Sequence, residues 1–404
     1  MRASLLTIGD ELLSGKTTNT NASWISQKLT FEGCNVISHL TVPDIEIDIL
    51  DGISILFKQK VDLIICTGGL GPTNDDITRD SIFKFFKSDP LFDKKYWNEL
   101  VTKFSSMGYS IPESNKSQAI VPHNGEVFSN PIGSARGILY CMEEITLMAL
   151  PGVPSEMEAM LKQTVLPWIR KNNHKKIASV NIRTTGIPES ALHEKINFKE
   201  IPLKDIKVGY YPSIFGVDLR LSGSDSAKIK RAQSIITENI KDYIYTFGED
   251  SIENVLVNKL INKNLTISFA ESCTGGLLGH RITQVDGSSK VFKGGMVTYS
   301  NEAKVIQLNI DQTLLNKFGA VSEEVALKMA KNVRDIFSSD IGVSVTGIAG
   351  PGGGSDDKPV GLVYVGYSDS QVVNAYQFNF HSNRHTNKMR ASQSVFSQIL
   401  KKIR

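Results

Sequence analysis

The sequence predicts an α/β protein built on parallel sheets, and three observations carry that reading. Short apolar runs alternate with segments of helical period along most of the chain. That rhythm gives parallel strands with helices on both faces. The length, 404 residues, exceeds one ordinary core and implies two or three domains at about 150 residues each. Glycine-rich turns follow several of the apolar runs, where open α/β sheets collect their ligands.

The first part, residues 1–170, reads as a three-layer parallel-sheet domain. Strands are expected at residues 3–8, 36–42 and 63–66. Helices are expected at 20–31, 45–57 and 77–86, the first with Trp24, Ile25 and Leu29 on one face. Two more strands, 137–141 and 146–150, precede a helix at 154–169. The polar run from Lys171 to Lys176 reads as a linker. The second part, residues 176–247, reads as a small α+β unit. Its order is strand 178–184, helix 189–196, strands 207–211 and 217–221, then helix 228–243. Gly248, Glu249 and Asp250 punctuate the chain. Asp250 is expected to cap the next helix, with Glu253 completing a capping box. Ile252, Leu256 and Leu260 give that helix its core face. The third part, residues 250–404, alternates strands and helices again, and no short internal repeat interrupts it.

Composition narrows the function. The chain carries 45 basic and 42 acidic residues, a net charge of +3. A dedicated nucleic-acid binder normally shows a strong basic excess. Small anionic substrates remain open. Residues 1–10 turn acidic too early for a secretory leader, and no run is long and apolar enough to span a bilayer. Cys34, Cys66, Cys141 and Cys273 are scattered without a Cys-x-x-Cys pair. A reduced, cytoplasmic setting is therefore expected.

The run Ala270-Glu271-Ser272-Cys273-Thr274-Gly275-Gly276 is the most informative segment. It follows an apolar strand and precedes Leu277, Leu278, Arg281 and Ile282 at helical spacing. A hydroxyl and a thiol at such a turn suit a nucleophile with an oxyanion hole, or a phosphate cradle. A glycine-rich connection with small capping residues would look the same. Ser272 needs a base. His280, His381 and His385 show no triad pattern. Lys304 qualifies if burial lowers its pKa, although a lysine in this context is more often a solvated surface residue. Cys273 is the rival nucleophile, with a thiol that a helix N-terminus would acidify, or else a small packing residue. Local chemistry leaves that choice open.

Four motifs in order resemble the CinA carboxy-terminal family: residues 270–276, the run from Tyr299 to Lys304, Gly319-Ala320-Val321-Ser322, and Gly347-Ile348-Ala349-Gly350-Pro351. Lys358-Pro359-Val360-Gly361 extends the match. That family includes nicotinamide-mononucleotide deamidases. The resemblance implies a Ser–Lys amidohydrolase, with Ser272 as nucleophile and Lys304 as base. Tyr299 and Thr346 would line the site and assist proton handling or amide positioning. Backbone N–H groups of Cys273, Thr274, Gly275 and Gly276 would hold the oxyanion, and Gly347 would lie against the substrate. Arg384 matches a family arginine expected to hold the phosphate, with Arg390 as its competitor.

In the first part, Gly9-Asp10-Glu11 follows the first strand and the run from Thr67 to Asp76 follows the third. Glycines permit close approach to phosphate, and adjacent carboxylates suit a divalent cation. A tight turn opening an acid-rich helix would read the same way. These loops, with Asn130-Pro131-Ile132-Gly133-Ser134 and Leu150-Pro151-Gly152-Val153-Pro154, resemble the molybdopterin-binding fold of CinA amino-terminal domains. The resemblance implies hydrolysis of ADP-ribose at its pyrophosphate, using magnesium, cobalt or manganese, with or without potassium. Glu11, Asp76 and Asp80 would serve metal or water, and Gly68, Gly69 and Gly71 would approach phosphate. One departure stands out. The family reads Gly-Thr-Ala-Pro-Gly where this chain has Gly133-Ser134-Ala135-Arg136-Gly137, so Arg136 is expected to add charge and to help hold a diphosphate or alter the substrate.

The middle part resembles the family's small KH-like unit through Gly186-Ile187-Pro188-Glu189-Ser190 and Tyr210-Tyr211-Pro212-Ser213. It lacks a Gly-x-x-Gly clamp, so a spacer or homodimer-forming role is expected. No nucleic-acid or membrane partner is expected. Two alternatives stay open: a non-enzymatic partner in competence or DNA repair, and a molybdopterin-cofactor transferase in the first domain.

Overall fold

Two compact units make up the chain, Met1–Ala178 and Ser179–Arg404. A computed structural model describes residues 1–173, 178–201 and 203–403. Among the described residues no helix is long and apolar enough to cross a membrane.

In the first unit, β1 (Arg2–Ile8) leads through the short α1 (Asp10–Leu13) to α2 (Thr20–Phe31). Asn19 caps α2, its side-chain oxygen accepting from the Ala22 N–H. Then come β2 (Asn35–Val42), α3 (Glu46–Lys58), β3 (Leu63–Thr67) and α4 (Thr78–Phe85). A segment whose elements the sequence reading did not assign follows: β4 (Pro90–Phe92), α5 (Lys94–Ser106), β5 (Ile120–Pro122) and β6 (Glu126–Phe128). The unit closes with β7 (Gly137–Met142), β8 (Ile145–Leu150), α6 (Pro154–Met160) and α7 (Leu166–Asn172).

The sheet order is β2-β1-β3-β8-β7-β6. The first four strands are parallel, and β7 and β6 are antiparallel. Only Glu143 and Glu144 separate β7 from β8, too few residues for a parallel crossover. The two cores follow from alternation along β1. Ala3 and Leu5 join the side formed with Ile25, Leu29 and Ile169, while Leu6 and Ile8 join the side formed with Ile49, Ile53 and Ile82. Both faces are therefore covered, which gives the expected three layers. The helix read as 154–169 is interrupted by one wide turn, Leu161–Val165. Pro167 follows at the start of α7 and has no N–H to continue the regular ladder. Lys171 and Asn172 end α7, and the rest of the expected linker, from His174, lies outside the described residues.

The second unit holds two sheets. The smaller contains β9 (Ala178–Thr184), α8 (Glu189–Lys195), β10 (Ile206–Pro212), β11 (Val217–Gly223), α9 (Ser226–Ile240) and β12 (Ile244–Phe247), in sheet order β10-β11-β9-β12. The last strand was not read from the sequence. Next comes α10 (Ile252–Lys263), and here one expectation is corrected. Ser251, not Asp250, caps it by accepting from the Asn254 N–H. Glu253 completes no capping box but pairs with Arg281.

The larger sheet is built from β13 (Ile267–Glu271), α11 (Leu277–Thr283), β14 (Phe292–Val297), α12 (Asn301–Leu308), α13 (Gln312–Phe318), α14 (Glu323–Phe337), β15 (Ile341–Gly347), β16 (Leu362–Ser368), β17 (Val373–Asn379) and α15 (Arg384–Lys402). Its order is β14-β13-β15-β16-β17, parallel through β15 and antiparallel after it. Phe269 packs with α10, α11 and α15 on one face, and Ala270 with α12, α13 and α14 on the other. Arg281, 7% exposed, is held by Glu253, Ser392 and Gln393, with its guanidinium 4.8 Å from the Phe215 ring and 4.9 Å from that of Phe396.

Candidate functional site

β13 is flanked by its parallel neighbours β14 on one side and β15 on the other, so the strand order reverses beside it. Ligands collect at the carboxyl end of such a switch point. Ser272 sits there, one residue past β13, and its N–H donates to Val345 O at 2.9 Å. β14 delivers the chain to α12, which Ser300 caps by accepting from the Ala303 N–H. The first turn of α12 then places Lys304 beside β13. Its Nζ lies 3.1 Å from Ser272 Oγ, 2.8 Å from Thr298 O and 3.4 Å from Tyr299 O. Lys304 is 1% exposed, and among the described residues no carboxylate forms an ion pair with it. Burial lowers its pKa below the ordinary lysine value. A neutral amine here can donate to the two carbonyls and accept from the serine hydroxyl.

Cys273 takes a different role from the one its position at the turn suggested. It is buried in the apolar core with Phe269 and Leu278. Burial pushes its thiol up to about 12, where a helix N-terminus had been expected to bring it down. Glu271 beside it adds a smaller push in the same direction and occupies the helix start. Its carboxylate, 3% exposed, accepts from Thr274 Oγ1 at 2.7 Å and from the N–H groups of Gly276, Leu278 and Gly279 at 3.0, 3.1 and 2.9 Å. The positive end of α11 is thus already filled by an anion from the protein. The Gly275 N–H is also engaged, bonding to Ser272 O. Of the amides expected to form an oxyanion hole, those of Cys273 and Thr274 make no hydrogen bond to another residue among the described residues. Sequence reasoning missed Glu271. The signal for it is an acid at the end of an otherwise buried strand, just before a helix start.

The other expected residues divide. Arg384, first in α15, donates to Gly350 O and to Tyr299 Oη, both at 2.8 Å. It therefore stands over the loops that flank Ser272. Arg390, six residues along the same helix, lies on a different face. Tyr299 reaches Arg384 with its hydroxyl and is 60% exposed, while only its backbone carbonyl touches Lys304. Thr346 is fully buried, and its hydroxyl is committed to Ala320 O at 2.8 Å. It makes no bond to Ser272 or Lys304. Gly347 lies against Leu362 and Val363.

The first unit has its own switch point, between β1 and β3. A cavity of about 510 Å³ opens there, lined by Gly9, Glu11, Asp44, Gly68, Gly69, Gly71, Asp75 and Asp76. Gly68 has φ 111°, and a Cβ on it would sit 2.1 Å from Ile8 O, so only glycine lets these two strand ends meet. Asp76 accepts from the Thr73 N–H at 2.9 Å and from its hydroxyl. Burial raises the Asp44 pKa, and the neighbouring Asp10, Glu11 and Asp75 add to the rise. Asp80 departs from expectation. It pairs with Arg79 at 3.1 Å and does not line the cavity. Arg136 also departs from it. Its guanidinium stacks 3.8 Å over the Tyr96 ring and pairs with Asp93 at 2.8 Å, away from the cavity lining. In place of a proline's stiffness the loop has an arginine clamp. Among the described residues no group of three or more His, Cys, Asp or Glu forms a ready metal cage. Magnesium commonly needs only one or two protein carboxylates beside substrate phosphates, and Glu11, Asp44 and Asp76 supply those, so the residues present fit a divalent cation brought with a diphosphate.

Comparisons with known proteins agree with both halves. Residues 249–403 match the family model described as CinA C-terminal domain, and residues 4–171 match Probable molybdopterin binding domain. A protein of Caldicellulosiruptor saccharolyticus, provisionally named competence-damage inducible protein, is 37% identical over 409 residues, covering 100% of this chain and 99% of that relative. One of the same name from Clostridium botulinum strain Langeland is 39% identical over 390 residues, covering 95% of each chain. Among solved structures, the competence/damage inducible protein CihA from Agrobacterium tumefaciens is 35% identical and covers 38% of this chain and 96% of its own, with a TM-score of 0.36.

Proposed function

The chain belongs to the CinA family, and from that premise we propose that its second unit is a serine amidohydrolase acting on nicotinamide mononucleotide. The observation that carries this reading is the 3.1 Å approach of Lys304 Nζ to Ser272 Oγ, with the amine almost wholly buried. Ser272 Oγ attacks the carboxamide carbon while neutral Lys304 takes the hydroxyl proton. The tetrahedral oxyanion is held by the N–H groups of Cys273 and Thr274. Lys304 returns the proton to the leaving nitrogen, ammonia departs, and an ester to Ser272 remains. Water, deprotonated by Lys304, then cleaves the ester to give nicotinate mononucleotide. Arg384 holds the phosphate end, and Tyr299 fixes Arg384. The test is ammonia release from nicotinamide mononucleotide by the whole protein. Ser272→Ala is expected to abolish it and Cys273→Ala to retain it. The reverse pattern would overturn the assignment.

For the first unit the reading is hydrolysis of ADP-ribose at its pyrophosphate with a divalent cation. Its support is the acid-lined cavity at the β1/β3 switch point. One or two of Glu11, Asp44 and Asp76 would hold the cation beside the substrate phosphates, and it would supply charge neutralisation at the pyrophosphate. The glycine run 68–71 brings backbone close to the phosphates. AMP formation from ADP-ribose with magnesium, cobalt or manganese, with and without potassium, tests it. Adenylation of molybdopterin without AMP formation would favour the transferase alternative. Salt-sensitive DNA binding by a protein that releases no ammonia would favour the competence or repair role. A homodimer in a cytoplasmic setting completes the proposal, and sedimentation of the purified protein tests the dimer.

A further inference from the structure

The cations around the Ser272 turn are not all used by the reaction as described. Lys388, one helical turn after Arg384 on α15, extends its ammonium over that turn. Its Nζ is the nearest atom to a Cβ built on Gly275, at 3.7 Å. Residues four apart share a helix face, so Lys388 and Arg384 point the same way. Among the described residues Lys388 has neither a hydrogen-bond partner nor a carboxylate. Arg384 spends two of its five donors on Gly350 O and Tyr299 Oη and has no carboxylate partner either.

The placement is also unfavourable for the helix itself. α15 has no acid in its first turn, so both cations sit near a positive helix end with nothing to neutralise them. A local choice that works against its own element points to a functional demand. Glu271, the acid beside the turn, is spent on Thr274 and the start of α11. The two α15 cations beside the Ser272 turn therefore have no carboxylate partner among the described residues.

The geometry points to Lys388 as a second phosphate-recognising residue, which with Arg384 makes the amidase site selective for substrates ending in a phosphate monoester dianion. This inference rests on the proposed amidase reading. Arg384 supplies planar donors and Lys388 a compact charge on a movable stem. Gly275 keeps the space beneath Lys388 free, since its φ of 66° disfavours a side chain and a Cβ would narrow the gap.

Two measurements on the whole protein test it. The first is binding of the product, nicotinate mononucleotide, against the phosphate-free nicotinate riboside, by calorimetry. Lys388→Ala is expected to weaken mononucleotide binding about tenfold or more relative to the riboside, the scale of one charged contact. Lys388→Arg is expected to restore most of it. Equal loss for both ligands, or no loss for either, would overturn the inference, as would failure of the unaltered protein to prefer the mononucleotide. The second is the ratio of kcat/KM for nicotinamide mononucleotide over nicotinamide riboside, expected to fall by the same factor in Lys388→Ala. If the unaltered protein prefers the mononucleotide, that preference needs Lys388, and yet no ammonia is released, the amidase reading fails while the phosphate assignment stands.

Discussion

Removing the Glu271 carboxylate is expected to loosen the turn that carries Ser272 while leaving the first unit untouched. Four donors converge on this carboxylate: the Thr274 hydroxyl and the N–H groups of Gly276, Leu278 and Gly279. At about 1 kcal/mol net per hydrogen bond, Glu271→Ala costs about 4 kcal/mol, and more where the freed N–H groups stay dry. Glu271→Gln keeps the shape but turns an amide NH2 toward at least one of those donors, a cost of about 1–3 kcal/mol. The chain provides its own control. Trp24, Trp97 and Trp168 all belong to the first unit, so tryptophan fluorescence follows that unit's unfolding and far-UV circular dichroism follows both. In urea, Glu271→Ala should leave the fluorescence midpoint in place. It should shift a dichroism transition downward by on the order of 1 M or more. Ammonia release should fall in both variants, further in the alanine one. An unmoved dichroism transition together with normal ammonia release would refute the argument.

Because Lys304 must be neutral to accept a proton and burial lowers its pKa, ammonia release should rise with pH and level off below the ordinary lysine value of about 10.4. Lys304→Met should remove that rise and cost about 10²–10⁴ in kcat. Iodoacetamide at neutral pH should label the exposed Cys141 and spare Cys34, Cys66 and Cys273, whose thiols burial pushes to about 11, 12 and 12. Mass spectrometry of the digested protein reads this out, and rapid labelling of Cys273 would contradict its packing role. Arg136→Ala should lower the fluorescence midpoint of the first unit by removing the Asp93 pair and the Tyr96 stack, with little change in KM for ADP-ribose. A large KM effect would return Arg136 to the substrate.

The alternation of strands and helices was legible because each strand is a short buried run and each helix shows one apolar face. The antiparallel ends of two sheets were not, since β6 is only three residues long and β16 and β17 carry no local mark of direction. Ser272 announced itself by its place after a strand. Lys304 is 32 residues away, and nothing in its local run marks it as buried. Only the family resemblance linked the two before the structure brought them together. Glu271 and Lys388 stayed hidden for a related reason. An acid and a lysine are ordinary surface residues until the fold shows what faces them. The surroundings of Arg136 stayed hidden as well, because a sequence shows an added charge but not the Asp93 and Tyr96 beside it.

Arg281 bears on any attempt to reduce this protein to a minimal catalyst. Its guanidinium takes one aromatic face from Phe215, in the turn between β10 and β11, and the other from Phe396 in α15. Removing residues 1–248 would keep Ser272 and Lys304 but strip the Phe215 face from a cation otherwise shielded from solvent. Water would then enter beside Glu253, at the foot of α11, whose other end supports the nucleophile turn. A shortened version would keep its geometry best with an aromatic surrogate appended at that spot, which makes the small middle sheet a graft partner rather than a disposable spacer.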